Sequence, residues 1–199
     1  HRHHIAKQQH AVERTRELFA KSLGYAKPET QGDYAISQHF LHGSQQTDAP
    51  YLIFLHATTR DDKHWPEAHW RELIGLLGSE GLRIKLPWGA PHEEARAKRL
   101  AAGFDYVDVL PRMKLDGVAQ ALAGATAVVS VDTGLSHLTA ALDRPNITLY
   151  GPTDPGLIGG YGKNQYICRP EHSSQLSDLS AAAVFAQLEP LLAAERAYV

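Results

Sequence analysis

One cysteine in 199 residues, Cys168, leaves no partner for an internal disulfide, so the fold must rest on a packed core and suits a reducing compartment. Its setting in the strand-like Tyr166-Ile167-Cys168 reads as a buried apolar thiol rather than a nucleophile. Long apolar runs are missing too: 51–55 and 127–131 are strand-sized, far short of the roughly 20 residues that span a bilayer, and no signal peptide opens the chain. Nor does either sign of charge prevail. The 20 Lys and Arg against 22 Asp and Glu leave a net charge of -2, which offers no general field for nucleic acid or an anionic membrane. There is no Asp-x-Asp triplet to bridge a divalent ion to a diphosphate, no Walker-type or GxGxxG loop, no internal repeat and no low-complexity tract. Histidine is plentiful, at 12 residues, yet His1, His3, His4 and His10 lack the i, i+4 pairing with an acid that marks helical zinc sites, so no metal is expected.

What is present is an alternation of short apolar runs with helix-period segments, the pattern of parallel strands buried on both faces by crossover helices. It predicts an α/β fold with a Rossmann-like parallel sheet and flanking helices. Strands are expected at 51–56, 82–86, 106–110, 125–131 and 146–150, and helices at 66–77, 92–102, 114–122 and 135–142. Ahead of them, Ile5, Val12 and Phe19 at heptad spacing predict an amphipathic helix ending near Gly24. A stretch rich in Gly, Ser, Gln, Thr and Pro follows, with one weak strand candidate at 34–41. The expected organisation is a helix and connecting region over 1–50, a nucleotide-sugar-binding unit over 51–177 and a C-terminal helix over 178–199. The chain opens on His1-Arg2-His3-His4 without an initiator Met, which reads as a piece of a longer protein.

In an open parallel sheet, ligands bind beyond the carboxyl ends of the strands, where loops converge and helix N-termini present free N–H groups. After the first strand, His56-Ala57-Thr58-Thr59 runs on to Lys63 and Pro66, crowding two hydroxyls and an ammonium ahead of a helix. Those groups fit a pyrophosphate, and a solvated polar loop accounts for them equally well. After the fourth strand, Asp132-Thr133-Gly134-Leu135-Ser136-His137 resembles an anion-binding helix start. Gly134 admits close approach to the backbone, Asp132 serves either a ligand or as a plain N-cap, and His137 faces either the ligand loop or the core. Glu93 can accept from both hydroxyls of a ribose or act as an ordinary first-turn acid, and backbone near Met113 can read an adenine edge. The glycine-rich run 151–163 permits closure over a ligand, or merely a turn.

Taken together, HATTRDDKHWPEAHWREL, LPWGAPHEEARA, VVSVDTGLSHLTAAL and NITLYGPTDPGLIGGYGK closely resemble the carboxyl-terminal domain of the lipopolysaccharide heptosyltransferases of glycosyltransferase family 9. The D-T-G-x-x-H element belongs to the wider family; the HATTRDDKHWP string points to the branch that adds the first heptose. The resemblance implies half of a GT-B enzyme, inverting, without a metal or other cofactor, that uses ADP-L-glycero-D-manno-heptose to glycosylate the Kdo of Kdo2-lipid A in inner-core synthesis. By motif position it implies Thr58, Thr59 and Lys63 at the diphosphate or sugar, with Lys63 stabilising the leaving group. It likewise implies Glu93 at the ribose, Met113 at the adenine, and Asp132, Thr133, Gly134 and His137 at the heptose and phosphates. The general base and the acceptor site belong, on this resemblance, to an amino-terminal domain without a counterpart here, so these residues alone are expected to bind donor or ADP without turnover. A cytoplasmic protein, peripheral at the inner membrane, is the implied location. A later-acting heptosyltransferase of the family and a non-catalytic nucleotide-binding module are the competing readings.

Overall fold

A computed structural model describes residues 2–41 and 49–196, with side chains described as far as residue 193. Six strands, β1 (Tyr51–Leu55), β2 (Arg83–Leu86), β3 (Val107–Val109), β4 (Ala127–Val131), β5 (Asn146–Leu149) and β6 (Gln165–Cys168), form one parallel sheet in the order β3-β2-β1-β4-β5-β6. The five expected strands are all present, and β6 adds an edge that ends on Cys168. That residue is buried, and burial pushes its thiol up to about 11, so it stays a protonated apolar group.

The strands alternate their side chains between two apolar layers, as the pleat requires. Leu52 and Phe54 of β1, with Val129 of β4 and Ile147 of β5, face a core closed by α3 (Glu67–Leu76), α4 (Pro91–Ala101) and α8 (Ala181–Arg196). At its centre Trp65 and Trp70 meet edge to face, 4.9 Å between centroids, and the Trp65 indole N–H donates to the Leu179 carbonyl at 2.8 Å. Tyr51, Ile53 and Leu55 face the opposite layer under α5 (Leu115–Ala123), joined there by Val118 and Leu122. Between β4 and β5 this second side carries α6 (Gly134–Ala141), whose buried residues are Ser136, Thr139 and Ala140.

Outside the sheet unit two expectations change. Helix α1 spans Ala11–Leu23 rather than starting near Ile5, because His10 caps it: its Nδ1 accepts from the Val12 N–H at 3.3 Å. Gly24, at φ 75, ends the helix where expected and returns its N–H to the Ala20 carbonyl. The weak strand candidate at 34–41 is instead the short helix α2 (Ser37–Leu41). Asp33 Oδ1 accepts from the Ala35 N–H at 2.8 Å and Ala35 adopts φ 54, which breaks the extended chain, and Ile36 and Phe40 then pack one helical turn apart on the α5 layer. Part of the connecting region, 42–48, lies outside the described residues. The last helix begins at Ala181, after a 3₁₀ turn at Leu176–Asp178, not at residue 178.

His56, directly after β1, is the most deeply buried titratable group of the sheet edge, with no exposed surface. Burial first, and then the nearby Arg96 charge, hold its imidazole down at about 4 against an ordinary 6.5. The folded state therefore refuses a proton that the unfolded chain accepts. Its contribution to stability is complete above pH 6.5 and is lost as pH falls towards 4, on the order of 3 kcal/mol in all. Denaturant titrations across this window are expected to show wild-type stability falling more steeply than that of His56→Leu; parallel curves would contradict the assignment.

Candidate functional site

The strand order reverses direction between β1 and β4, since β2 and β3 extend one way from β1 while β5 and β6 extend the other way from β4. Loops leaving adjacent strands on opposite sides of such a switch diverge and leave a crevice at their carboxyl ends. A cavity of about 320 Å³ occupies that place. Its lining comes from the loop after β1 (His56, Thr58, Thr59), the loop after β2 (Pro87, Trp88, Gly89, Glu93), the start of α5 (Met113, Leu115, Val118) and the start of α6 (Thr133, Leu135).

Two motifs separated by about 70 residues are tied together at its margin. The Lys63 ammonium, on a 3₁₀ turn at Asp61–Lys63, lies 2.7 Å from Asp132 Oδ2, with only 15% and 7% of the two side chains exposed. Beside it the Thr58 hydroxyl donates to the Asp132 carbonyl at 3.2 Å. Asp132 is thus neither a free ligand group nor the N-cap of α6, which is Thr133. It aims Lys63. The Thr133 backbone is extended, at φ -148 and ψ 165, so the next N–H groups open outward from α6. A Cβ placed on Gly134 would meet no atom within 4 Å, so this helix start has free space above it.

Glu93 sits in the first turn of α4, where its Oε2 accepts from the N–H groups of Gly89 at 2.7 Å and Ala90 at 3.0 Å. Burial works to raise its carboxyl, but those two donors prevail and leave it below the ordinary range, hence ionised and an acceptor only. Glu93 is thus a first-turn acid, with one oxygen capping the helix, and it also lines the cavity. On the opposite wall Met113 packs over Gly117 and stands with Leu115, Val118 and Leu135 as an apolar surface.

Of the residues singled out in the sequence, Thr58, Thr59, Glu93, Met113 and Thr133 line one cavity, and Lys63 and Asp132 join beside it. Gly134 and His137 are exposed on α6 outside that lining, so His137 does not face the core. The apolar wall of Leu115, Val118 and Leu135 escaped sequence reasoning. Its signal was the placement of apolar residues in the first turns of helices that follow strand ends, where solvent-facing polar groups are the usual occupants. Leu115 is 64% exposed. The glycine-rich run is not a free flap. Tyr161 donates to Glu13 of α1 at 2.5 Å and accepts from the Gly32 N–H at 3.2 Å, while His10 bonds the Gly159 carbonyl at 3.0 Å.

A larger concavity, about 630 Å³, opens between the end of β6 and the start of α8 among Arg169, Glu171, His172 and Asp178. Cys168 borders it, and none of the candidate ligand-binding residues indicated by the sequence does. Among the described residues no group of three or more His, Cys, Asp or Glu side chains is arranged to hold a metal ion, and no helix is long and apolar enough to cross a membrane.

The family model of glycosyltransferase family 9 (heptosyltransferase) matches residues 1–188. The chain is 78% identical over 188 residues to lipopolysaccharide heptosyltransferase 1 of Salmonella typhimurium, covering 94% of this chain and 59% of that protein. It superposes on the Escherichia coli heptosyltransferase WaaC solved with ADP at a TM-score of 0.90 and 75% identity, covering 96% of this chain and 59% of that one. On the same enzyme solved with ADP-2-deoxy-2-fluoro heptose the TM-score is 0.86 at 73% identity, over 95% and 58% of the two chains. The chain therefore spans about three-fifths of the relatives it matches. A match across nearly its whole length, in sequence and in backbone, carries one consequence: the chain belongs to glycosyltransferase family 9.

Proposed function

We propose that this chain supplies the donor-holding half of an inverting heptosyltransferase, which transfers L-glycero-D-manno-heptose from ADP-heptose to the Kdo of Kdo2-lipid A. The observation that carries the reading is the Lys63–Asp132 pair at the strand-order switch, beside a cavity with one polar and one apolar wall. The similar enzymes solved with ADP and with a fluorinated ADP-heptose support a nucleotide-sugar as the occupant.

In this reading each wall takes one part of the donor. The apolar wall of Met113, Leu115, Val118 and Leu135 suits a planar base. The ionised Glu93 accepts from ribose hydroxyls with the oxygen not committed to α4. The Thr59 hydroxyl, the Lys63 ammonium and the outward N–H at Gly134 suit a diphosphate, joined by the Thr58 hydroxyl and the Thr133 N–H once they turn from the Asp132 carbonyl and Ser136, and favoured further by the positive end of the α6 dipole. The exposed His137 then falls to the sugar end, beyond the cavity lining.

Transfer breaks the bond between the anomeric carbon and the diphosphate oxygen while an acceptor hydroxyl attacks from the opposite face. Negative charge grows on the departing ADP, and a cation already fixed in place stabilises it without reorganising. Asp132 performs that fixing by holding Lys63 before the donor arrives. No metal enters this scheme. The base that takes the acceptor proton is assigned to a part of the enzyme outside these residues, and so is contact with the lipid-linked acceptor at the cytoplasmic membrane face.

Calorimetry on the chain is expected to show ADP bound at least about tenfold more tightly than UDP, because the larger purine covers more of the apolar wall. Preference for UDP, or no nucleotide binding, contradicts the assignment. Lys63→Ala is expected to weaken ADP roughly 100-fold, since it both removes a cation and leaves Asp132 buried and unpaired beside the phosphates. Adding Asp132→Asn to that variant should recover part of the loss. Unchanged ADP affinity in Lys63→Ala, or a further loss in the double variant, would remove Lys63 from the diphosphate site.

A further inference from the structure

The face of the sheet beneath α6 departs from the rest of the core. Ser130 on β4 and Asn146 and Thr148 on β5 are 0%, 0% and 2% exposed, at positions where buried parallel strands normally carry aliphatic groups. Strand register sets Ser130 level with Thr148, and Asn146 level with Gln165 of β6 two residues earlier, so the polar side chains form a staggered row across three strands.

Asn146 is the centre of that row. Its Oδ1 accepts from the Ser130 hydroxyl at 2.9 Å, and its Nδ2 donates to Thr148 Oγ1 at 2.9 Å and to Gln165 Oε1 at 3.2 Å. The same Nδ2 lies 3.5 Å from the Ser136 carbonyl of α6, which shares one of its two hydrogens with a nearer acceptor. Ser136 in turn donates its hydroxyl to the Thr133 carbonyl at 2.7 Å and receives the Thr133 N–H at 3.5 Å. A chain of polar contacts therefore runs from the start of β5 through Ser136 to Thr133, the N-cap of α6, with the Asn146–Ser136 contact as its longest link.

Stability alone gives little reason for such a seam, because satisfied buried polar pairs are worth about as much as well-packed aliphatic groups of the same shape. Position is different. An aliphatic interface lets a helix slide or roll with small changes in energy, whereas directional bonds at both ends of Asn146 define one axial and rotational setting. Helices α3, α4 and α8, which lie on the other face, rest on aliphatic and aromatic side chains. The helix seated on polar bonds is the one whose N-terminus opens at the cavity.

We propose that Asn146 is a positioning residue for the N-terminus of α6, holding the first free N–H of the helix, at Gly134, where it meets the diphosphate of a bound nucleotide. The inference rests on the donor-site reading above and adds to it a residue that touches no ligand. It requires that loss of Asn146 weaken the diphosphate contacts and spare the nucleoside contacts.

The test compares ADP and adenosine binding, by NMR titration well below the unfolding temperature, in the unmodified chain, Asn146→Leu and Thr148→Val. The second variant removes one hydroxyl of the seam at nearly constant volume and carries the test should the first not fold. ADP affinity is expected to fall about tenfold in Asn146→Leu and about threefold in Thr148→Val, with adenosine affinity within about twofold of wild type. Equal losses for ADP and adenosine, or no loss for either, overturn the inference while leaving the donor site intact. Absence of ADP binding by the unmodified chain overturns the donor-site reading and the inference with it.

Discussion

The parallel pairing of β1 with β4 is the constraint on which the site depends. Leu52 through Leu55 sit in register with Ala127 through Ser130, so the chain leaves both strands at the same height. Only this pairing brings the 3₁₀ turn carrying Lys63 to the Asp132 carboxylate, and Thr58 to the backbone carbonyl of the same residue. It is also the point where strand order reverses, so the crevice and the charged pair arise from one topological fact. The driving force is apolar: Ile53 and Val128 on one face and Phe54 and Val129 on the other are fully buried, and a slip of one residue would exchange the faces of a whole strand.

Around that pairing the two sides of the sheet serve different ends. The α3, α4 and α8 side is a continuous apolar layer with both central tryptophans, and it supplies most of the hydrophobic stabilisation. The α5 and α6 side is divided between an aliphatic cluster under α5 and the Ser130–Asn146–Thr148 seam under α6. Among the described residues neither ring nitrogen of His56 has a hydrogen-bond partner, although this residue stands at the head of the loop that carries Thr58 and Lys63. Keeping that imidazole neutral removes a second positive charge from the neighbourhood of Arg96.

Much of this was legible in the sequence because the physics was local. Continuous apolar runs such as Tyr51-Leu52-Ile53-Phe54-Leu55, bounded by polar turns, specify buried strands without reference to anything distant. Hydroxyls, a lysine and a glycine at strand ends specify where an anion would sit. What stayed hidden was pairing. Asp132 was readable as ligand or as cap, and only the fold shows that its carboxylate is committed to a lysine 69 residues away. The same holds for 34–41, where a strand-like composition became α2 because the turn at Asp33 and Ala35 broke the extended chain and the α5 layer received Ile36 and Phe40. Helix α1 began later than its heptad spacing implied because a histidine cap, not apolar periodicity, set its first turn. The Asn146 seam was invisible for a related reason: Ser130, Asn146 and Thr148 look like interruptions in apolar strands until register places them side by side.

The account places a nucleoside diphosphate between the loop after β1 and the start of α6. Amide chemical-shift mapping of the chain titrated with ADP tests that placement most directly. The predicted result is a set of perturbed amides at Thr58, Thr59, Lys63, Gly89, Met113, Thr133 and Gly134, converging on the cavity at the β1–β4 switch. Perturbations confined to the larger concavity between β6 and α8, around Arg169, His172 and Ser180, would contradict it.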